Sequence, residues 1–167
     1  IVELVRRAFS VSALVVGPGT RTGVAILIDN PREVGADRIV NAVAAHEVHR
    51  SADGGIIVVD FGTATTFDVV SPKGEYLGGV IAPGLGMSLD ALATRTALLP
   101  RVELAEPPEL LGRDTVNSIR SGVVYGWAAL CDGLVRQLAA KHAPKATVVA
   151  TGGDGSLIAK YAKSVHH

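Results

Sequence analysis

The chain has 167 residues, a formal net charge of zero, 48% hydrophobic residues, 19 glycines and one cysteine. This profile excludes a disordered chain and predicts one or two α/β units with a sizeable core. The even charge balance, without a basic block, argues against nucleic acid or an anionic membrane as partner and favours a small molecule.

Cys131 alone can form neither an intramolecular disulfide nor a multi-cysteine zinc site. No run of about eighteen apolar residues and no cleavable leader pattern is found, so the expected location is the cytoplasm, with no membrane partner.

IVELVRRAF begins in helical period, with Leu4, Val5 and Ala8 on one side. The chain is therefore expected to start inside an element, as a fragment. SALVVG at 12–17, closed by Gly17-Pro18-Gly19, predicts a buried strand and a turn; VAILI at 24–28 predicts a second strand. Asp29-Asn30-Pro31 breaks the chain, and Ile39, Val40, Val43, Ala44 and Val48 recur at helical spacing, predicting a helix from Gly35 or Asp37.

RSADGG at 50–55 marks a boundary between residues 1–52 and 53–167. IIVVD is β-branched without alternation, the pattern of a strand buried on both faces. TTFDVVS, the turn SPKG and EYLGGVIAPG extend it into a hairpin. GMSLDALATRTALL at 86–99 predicts a helix, and residues 113–141 a long helix or helix pair after the loop EPPELLG. ATVVATGGDG reads as a strand ending in glycines, SLIAKYAK as a short helix, and the last residues as the possible start of another strand. The terminal His166 and His167 are either native or a tag remnant.

Two strand ends carry residues suited to nucleotide chemistry. In DFGTATTFD, a strand delivers Asp60, Gly62 admits a ligand close to the backbone, and Thr63, Thr65 and Thr66 offer hydroxyls and N–H groups to phosphate oxygens. Asp60 is placed to hold a cation. The bland alternative is a strand-turn-strand whose threonines only favour β geometry. Thr151-Gly152-Gly153 leaves flat room for a purine or ribose, or is an ordinary strand-helix turn. Both stops sit at carboxyl ends of buried strands, where ligands bind α/β sheets. Neither is a P-loop, since GxxxxGK[ST] does not occur.

VGADR at 34–38, DFGTATTFD at 60–68, GGVIAPG at 78–84, GRDTVNSIRSG at 112–122 and TGG at 151–153 together resemble the type III pantothenate kinases. These belong to the superfamily of acetate and sugar kinases, Hsp70 and actin. The resemblance covers essentially the whole chain and implies an actin-like, ribonuclease H-like α/β fold. On that reading, residues 1–52 are the C-terminal remnant of the first actin-like half, and 53–167 are the second half, incomplete at its end.

The resemblance implies ATP-dependent phosphorylation of pantothenate to 4'-phosphopantothenate, the first step of coenzyme A biosynthesis, with Mg²⁺ and a monovalent cation, K⁺ or NH₄⁺. It implies that Asp60 holds the monovalent cation, that Gly62, Thr63, Gly152 and Gly153 contact ATP, and that Gly35, Ala36, Asp37, Arg38 and Thr115 line pantothenate. Asp37 is the implied proton acceptor for the substrate hydroxyl, and a homodimer is implied, with the substrate site near its interface.

The residue types suit that chemistry, because phosphoryl transfer needs a carboxylate to orient or deprotonate the attacking hydroxyl and cations to offset phosphate charge. Read without the family, Asp37 serves equally as a helix cap with Arg38 as its surface partner. Arg120 is suited to a phosphate or a substrate carboxylate, or to a structural ion pair with Asp114 or Glu33. His46 and His49 read as an exposed polar face, and Cys131, Tyr125 and Trp127 as core.

The chain departs from the family in four places. It has no counterpart of the family's opening phosphate motif, a strand with Asp, Gly, Asn and Thr, nor of its usual closing strand and helix. Ile28 stands where some members carry a substrate-contacting tyrosine, and Asp154-Gly155 replaces apolar or small residues. Two other functions fit parts of the pattern: a non-catalytic regulator like the Bvg accessory factors, which would not need the base Asp37, and a polyphosphate hydrolase, which leaves GADR and GRDT without a role.

Overall fold

The computed structural model describes residues 1–17, 20–51 and 53–167. Its centre is a five-stranded mixed sheet in the order β1-β4-β3-β2-β5. The strands are β1 (Ala25–Ile26), β2 (Ile56–Phe61), β3 (Ala64–Val70), β4 (Glu75–Pro83) and β5 (Thr147–Thr151). The predicted hairpin is present: β2, β3 and β4 pair antiparallel, while β5 runs parallel to β2 and β1 parallel to β4.

The unalternating IIVV run has the expected cause, burial on both faces. Ile57, Val59 and Phe61 face one core, shared with Phe67, Val124 and Cys131. Ile56 and Val58 face a second core, shared with Ala42, Ala45, Val70 and Tyr76. The first core is covered by α3 (Leu85–Arg95) and α4 (Thr115–His142), and the second by α2 (Ala36–His49). Residues 113–141 therefore resolve as one helix. Its start is set by Asp114, which accepts a hydrogen bond from the backbone N–H of Asn117 at 2.8 Å and so occupies an open helix-end donor. The short helices α1 (Val2–Phe9) and α5 (Gly155–Ile158) complete the fold.

Four expectations need correction. Residues 12–17 form no strand: Leu14 and Val15 are exposed, and the sheet edge on that side is taken by β1, only two residues long. The turn expected at Pro18-Gly19 lies outside the described residues, as does Ala52 of the expected boundary. The helix expected over 86–99 ends at Arg95, because Thr96 turns extended (φ −119°, ψ 154°). His46 is half-buried rather than exposed, with Nδ1 buried and unpartnered and Nε2 close to Gly74. His49, also half-buried, stacks on His167 at 4.6 Å.

The last residues form no strand, but His167 bonds to the outer edge of β5. The N–H of His167 donates to Val148 O at 3.3 Å, and the N–H of Ala150 donates to His167 O at 2.8 Å. This is the slanted pattern of a parallel ladder on the open edge of β5.

Candidate active site

The tips of β2 and β5 lie side by side because the two strands are parallel neighbours, with Asp60 opposite Thr151. Gly62 and Thr63 from the first tip and Gly153 and Asp154 from the second line one cleft of about 550 Å³. Gly86, Met87 and Asp90 of α3 form its third wall. The first turn of α3 has no side-chain cap, so its N–H groups remain available to an anion.

Gly152 shows how tightly the tips meet. Its φ is +92°, and an added Cβ would lie 2.5 Å from Asp60 Oδ1 and from the carbonyl of Phe61. Only glycine fits both the backbone angle and the space. Gly84 is constrained similarly, its Cβ position falling on the carbonyls of Gly62 and Thr63.

Asp60 points to the α2 side of the sheet. Its Oδ2 accepts a hydrogen bond from Asn41 Nδ2 at 2.8 Å, and its Oδ1 faces the cradle left by the missing side chains of Gly152 and Gly62. A carboxylate oxygen in a space that a Cβ would fill suits a hard cation, which takes oxygen ligands. Among the described residues no group of three or more His, Cys, Asp or Glu gathers to hold a metal. Asp60 Oδ1, beside the Phe61 carbonyl at the Gly152 cradle, is the oxygen this strand tip offers a cation.

α2 carries the predicted substrate segment and is tied to Asp60 through Asn41, but none of Gly35, Ala36, Asp37 or Arg38 lines the cleft of the two tips. Gly35 is the N-cap of α2, and an added Cβ there would lie 2.4 Å from Asp37 Oδ1, so glycine makes room for that carboxylate to fold back over the helix start. Asp37 is exposed and accepts a hydrogen bond from the N–H of Arg38 at 2.9 Å. It precedes Asn41 by four residues, about 6 Å along the helix axis from the side chain that holds Asp60.

Arg38 turns inward instead. Its Nε donates to Asp68 Oδ1 at 2.8 Å, its Nη2 lies 2.6 Å from the same oxygen, and its guanidinium sits 5.8 Å from the centre of the Tyr76 ring. Asp68 is fully buried and also accepts from Tyr76 OH at 2.6 Å and from Thr66 Oγ1 at 3.2 Å. Burial and this carboxylate push the Tyr76 phenol well above its ordinary range. Sequence reasoning assigned no role to Asn41, Asp68 or Tyr76. One signal was available: a charged residue inside the buried run FDVV needs a partner.

Thr115 is placed elsewhere. With Arg95, Arg113, Asp114 and Trp127 it lines a cleft of about 950 Å³ between α3 and α4, which contains none of Gly35, Ala36, Asp37 or Arg38. Ala36 lines a separate hollow with Val16, Thr22 and Arg32. Arg120 donates through Nε to the carbonyl of Glu103 at 3.3 Å, and among the described residues it forms no ion pair with Asp114 or Glu33. Ile28, at the position of the family tyrosine, packs on the α2-side core. Cys131 is buried as expected, and Trp127 packs against the same core while its indole N–H donates to the buried Thr65 hydroxyl at 3.1 Å. Tyr125 packs edge-on against Tyr161.

The family model for type III pantothenate kinase matches residues 1–137. The chain belongs to this family. It is 53% identical to a type III pantothenate kinase of Myxococcus xanthus over 98% of this chain and 63% of that protein. It is 57% identical to one from an Anaeromyxobacter species over 95% and 61%, and 51% identical to one from Pelobacter propionicus over 96% and 62%. The chain thus spans about three fifths of the length of these curated relatives. With the family comes its actin-like α/β fold, as expected from the motifs. A solved structure, a conserved putative Baf family transcriptional activator from Campylobacter jejuni, is similar at a TM-score of 0.45 and 24% identity over 75% of this chain and 55% of that one. A likeness that low carries no argument.

Among the described residues no helix is long and apolar enough to cross a membrane.

Proposed function

We propose that this protein phosphorylates pantothenate with ATP, giving 4'-phosphopantothenate for coenzyme A biosynthesis. The observation that carries the reading is the meeting of two motifs at one cleft, with the helix of a third joined to them by one hydrogen bond. The DFGTATT and TGG tips line one cleft, and the GADR helix is tied to Asp60 through Asn41.

In this reading the cleft lined by Gly62, Thr63 and Gly153, with Gly152 beside it at the β5 tip, takes ATP, which supplies the γ-phosphoryl group. Backbone N–H groups of the β2 tip and of the α3 start offset phosphate charge. Asp60 holds a monovalent cation, K⁺ or NH₄⁺, and Mg²⁺ accompanies the nucleotide. Asp37 accepts the proton of the substrate's primary hydroxyl on its exposed carboxylate, whose Oδ1 already takes the Arg38 N–H. Gly35 and Ala36 shape the helix start around the substrate, and the guanidinium of Arg38 suits the pantothenate carboxylate.

Thr115, distant from the GADR helix in one copy's clefts, joins the site in a homodimer if the α3–α4 face of one copy meets the other copy's α2. Residues 1–52 and 53–167 correspond to parts of two actin-like halves, and the enzyme works in the cytoplasm.

The test is ADP release from ATP, Mg²⁺ and K⁺ by the full-length protein. Release that requires pantothenate supports the reading; release that ignores pantothenate indicates a hydrolase, and none indicates a regulator.

A further inference from the structure

We infer that Asp68 is a positioning residue for pantothenate, acting through Arg38. The inference rests on the kinase reading above. A free arginine on the first turn of a helix samples many rotamers, and fixing it when substrate arrives costs conformational entropy. Here that ordering is already done. Nε and Nη2 of Arg38 are both held on Asp68 Oδ1. Among the described residues Nη1 has no protein acceptor, and the side chain keeps 16% of its surface in solvent.

The rest of the local sequence serves this arrangement. Tyr76 lies under the guanidinium and donates its hydroxyl to the same carboxylate oxygen. Thr66 satisfies the other oxygen. Gly79, opposite Asp68 on β4, leaves the lane in which the guanidinium lies: an added Cβ would sit 2.7 Å from Arg38 Nη2 and 2.9 Å from Asp68 Oδ1. A fully buried carboxylate with three side-chain donors is an expensive feature that an apolar residue could replace. Its use is to aim one edge of Arg38 outward beside Asp37.

Charge and position make opposite predictions for Asp68→Asn. By charge alone, removing an anion next to Arg38 makes the site more positive and lowers the KM for the pantothenate anion. If Asp68 acts by aiming Arg38, the KM rises despite that change.

The experiment is pantothenate saturation of the full-length protein at fixed ATP, Mg²⁺ and K⁺. Asp68→Asn is expected to raise KM about tenfold with kcat within about twofold of wild type. Tyr76→Phe removes one donor from Asp68 but leaves both Arg38 bonds in place, and is expected to raise KM by less than Asp68→Asn does. A KM that is unchanged or lower in Asp68→Asn, or a fall in kcat alone, overturns the inference while leaving the kinase reading intact. No pantothenate-dependent ADP from the unaltered protein overturns both. Should Asp68→Asn not fold, nuclear magnetic resonance of the unaltered protein decides: the Arg38 Nε–H is expected to resist exchange without ligand and to shift on adding pantothenate. A freely exchanging or unresponsive Nε–H overturns it.

Discussion

Asn41 Nδ2 and Asp60 Oδ2 are 2.8 Å apart, a hydrogen bond that joins the helix carrying Asp37 to the β2 tip beside the cleft of Gly62, Thr63 and Gly153. Two motifs separated by more than twenty residues are thereby held in one geometry. Asn41→Ala removes the tie and frees Asp60 to leave its cradle. The expected result is a several-fold rise in the K⁺ concentration for half-maximal activity, with stability lowered by about 1 kcal/mol. Potassium titration of the ADP assay and urea denaturation measure the two effects.

Gly152→Ala adds a Cβ at φ +92° into space held by Asp60 Oδ1 and the Phe61 carbonyl. Strain and overlap together are expected to cost about 2–4 kcal/mol. Denaturation midpoints check the stability. ATP binding, measured by calorimetry on the folded fraction, is expected to weaken because the two tips must separate.

Asp114 caps α4 through its bonds to the Asn117 N–H and to Asn117 Nδ2, and the backbone bond first, then the side-chain bond, holds its carboxyl below the ordinary value of 3.8. A carboxyl lowered by folding stabilises above its unfolded pKa, and that contribution is lost as pH falls through the lower folded value. Asn is as good a cap without the charge. Asp114→Asn is therefore expected to lose less stability than wild type in acid denaturation as pH drops below 3.8, read from urea midpoints at stepped pH.

Tyr76 carries the opposite sign. Burial first, and then its bond to Asp68, raise the phenol above its ordinary value of 10.0. Its contribution is present below that value and is lost as pH rises through the raised one. An alkaline titration followed by phenolate absorbance is expected to show a late step that Tyr76→Phe lacks.

Much of the architecture was readable from local pattern. The unalternating IIVV run, the SPKG turn and the glycines after VVAT each state a strand or its end through residue type and spacing, and all three appear where expected. SALVVG carries the same local signal and forms no strand, because a strand also needs a pairing partner, and residues 12–17 pair with none of the five strands. The site divides in the same way. Asp60, Gly62 and Gly152 announce themselves by chemistry at strand ends. Asn41, Asp68 and Tyr76 do not, since their roles arise from the packing that sets α2 across β2, β3 and β4.

The most direct test of the account is the mass of the product. Incubated with ATP, Mg²⁺ and K⁺, the full-length protein should convert pantothenate to a species heavier by one phosphoryl group. Asp37→Asn should slow this by at least about 10²-fold while binding pantothenate as before. A wild-type rate from Asp37→Asn, or consumption of ATP with pantothenate left unmodified, would contradict it.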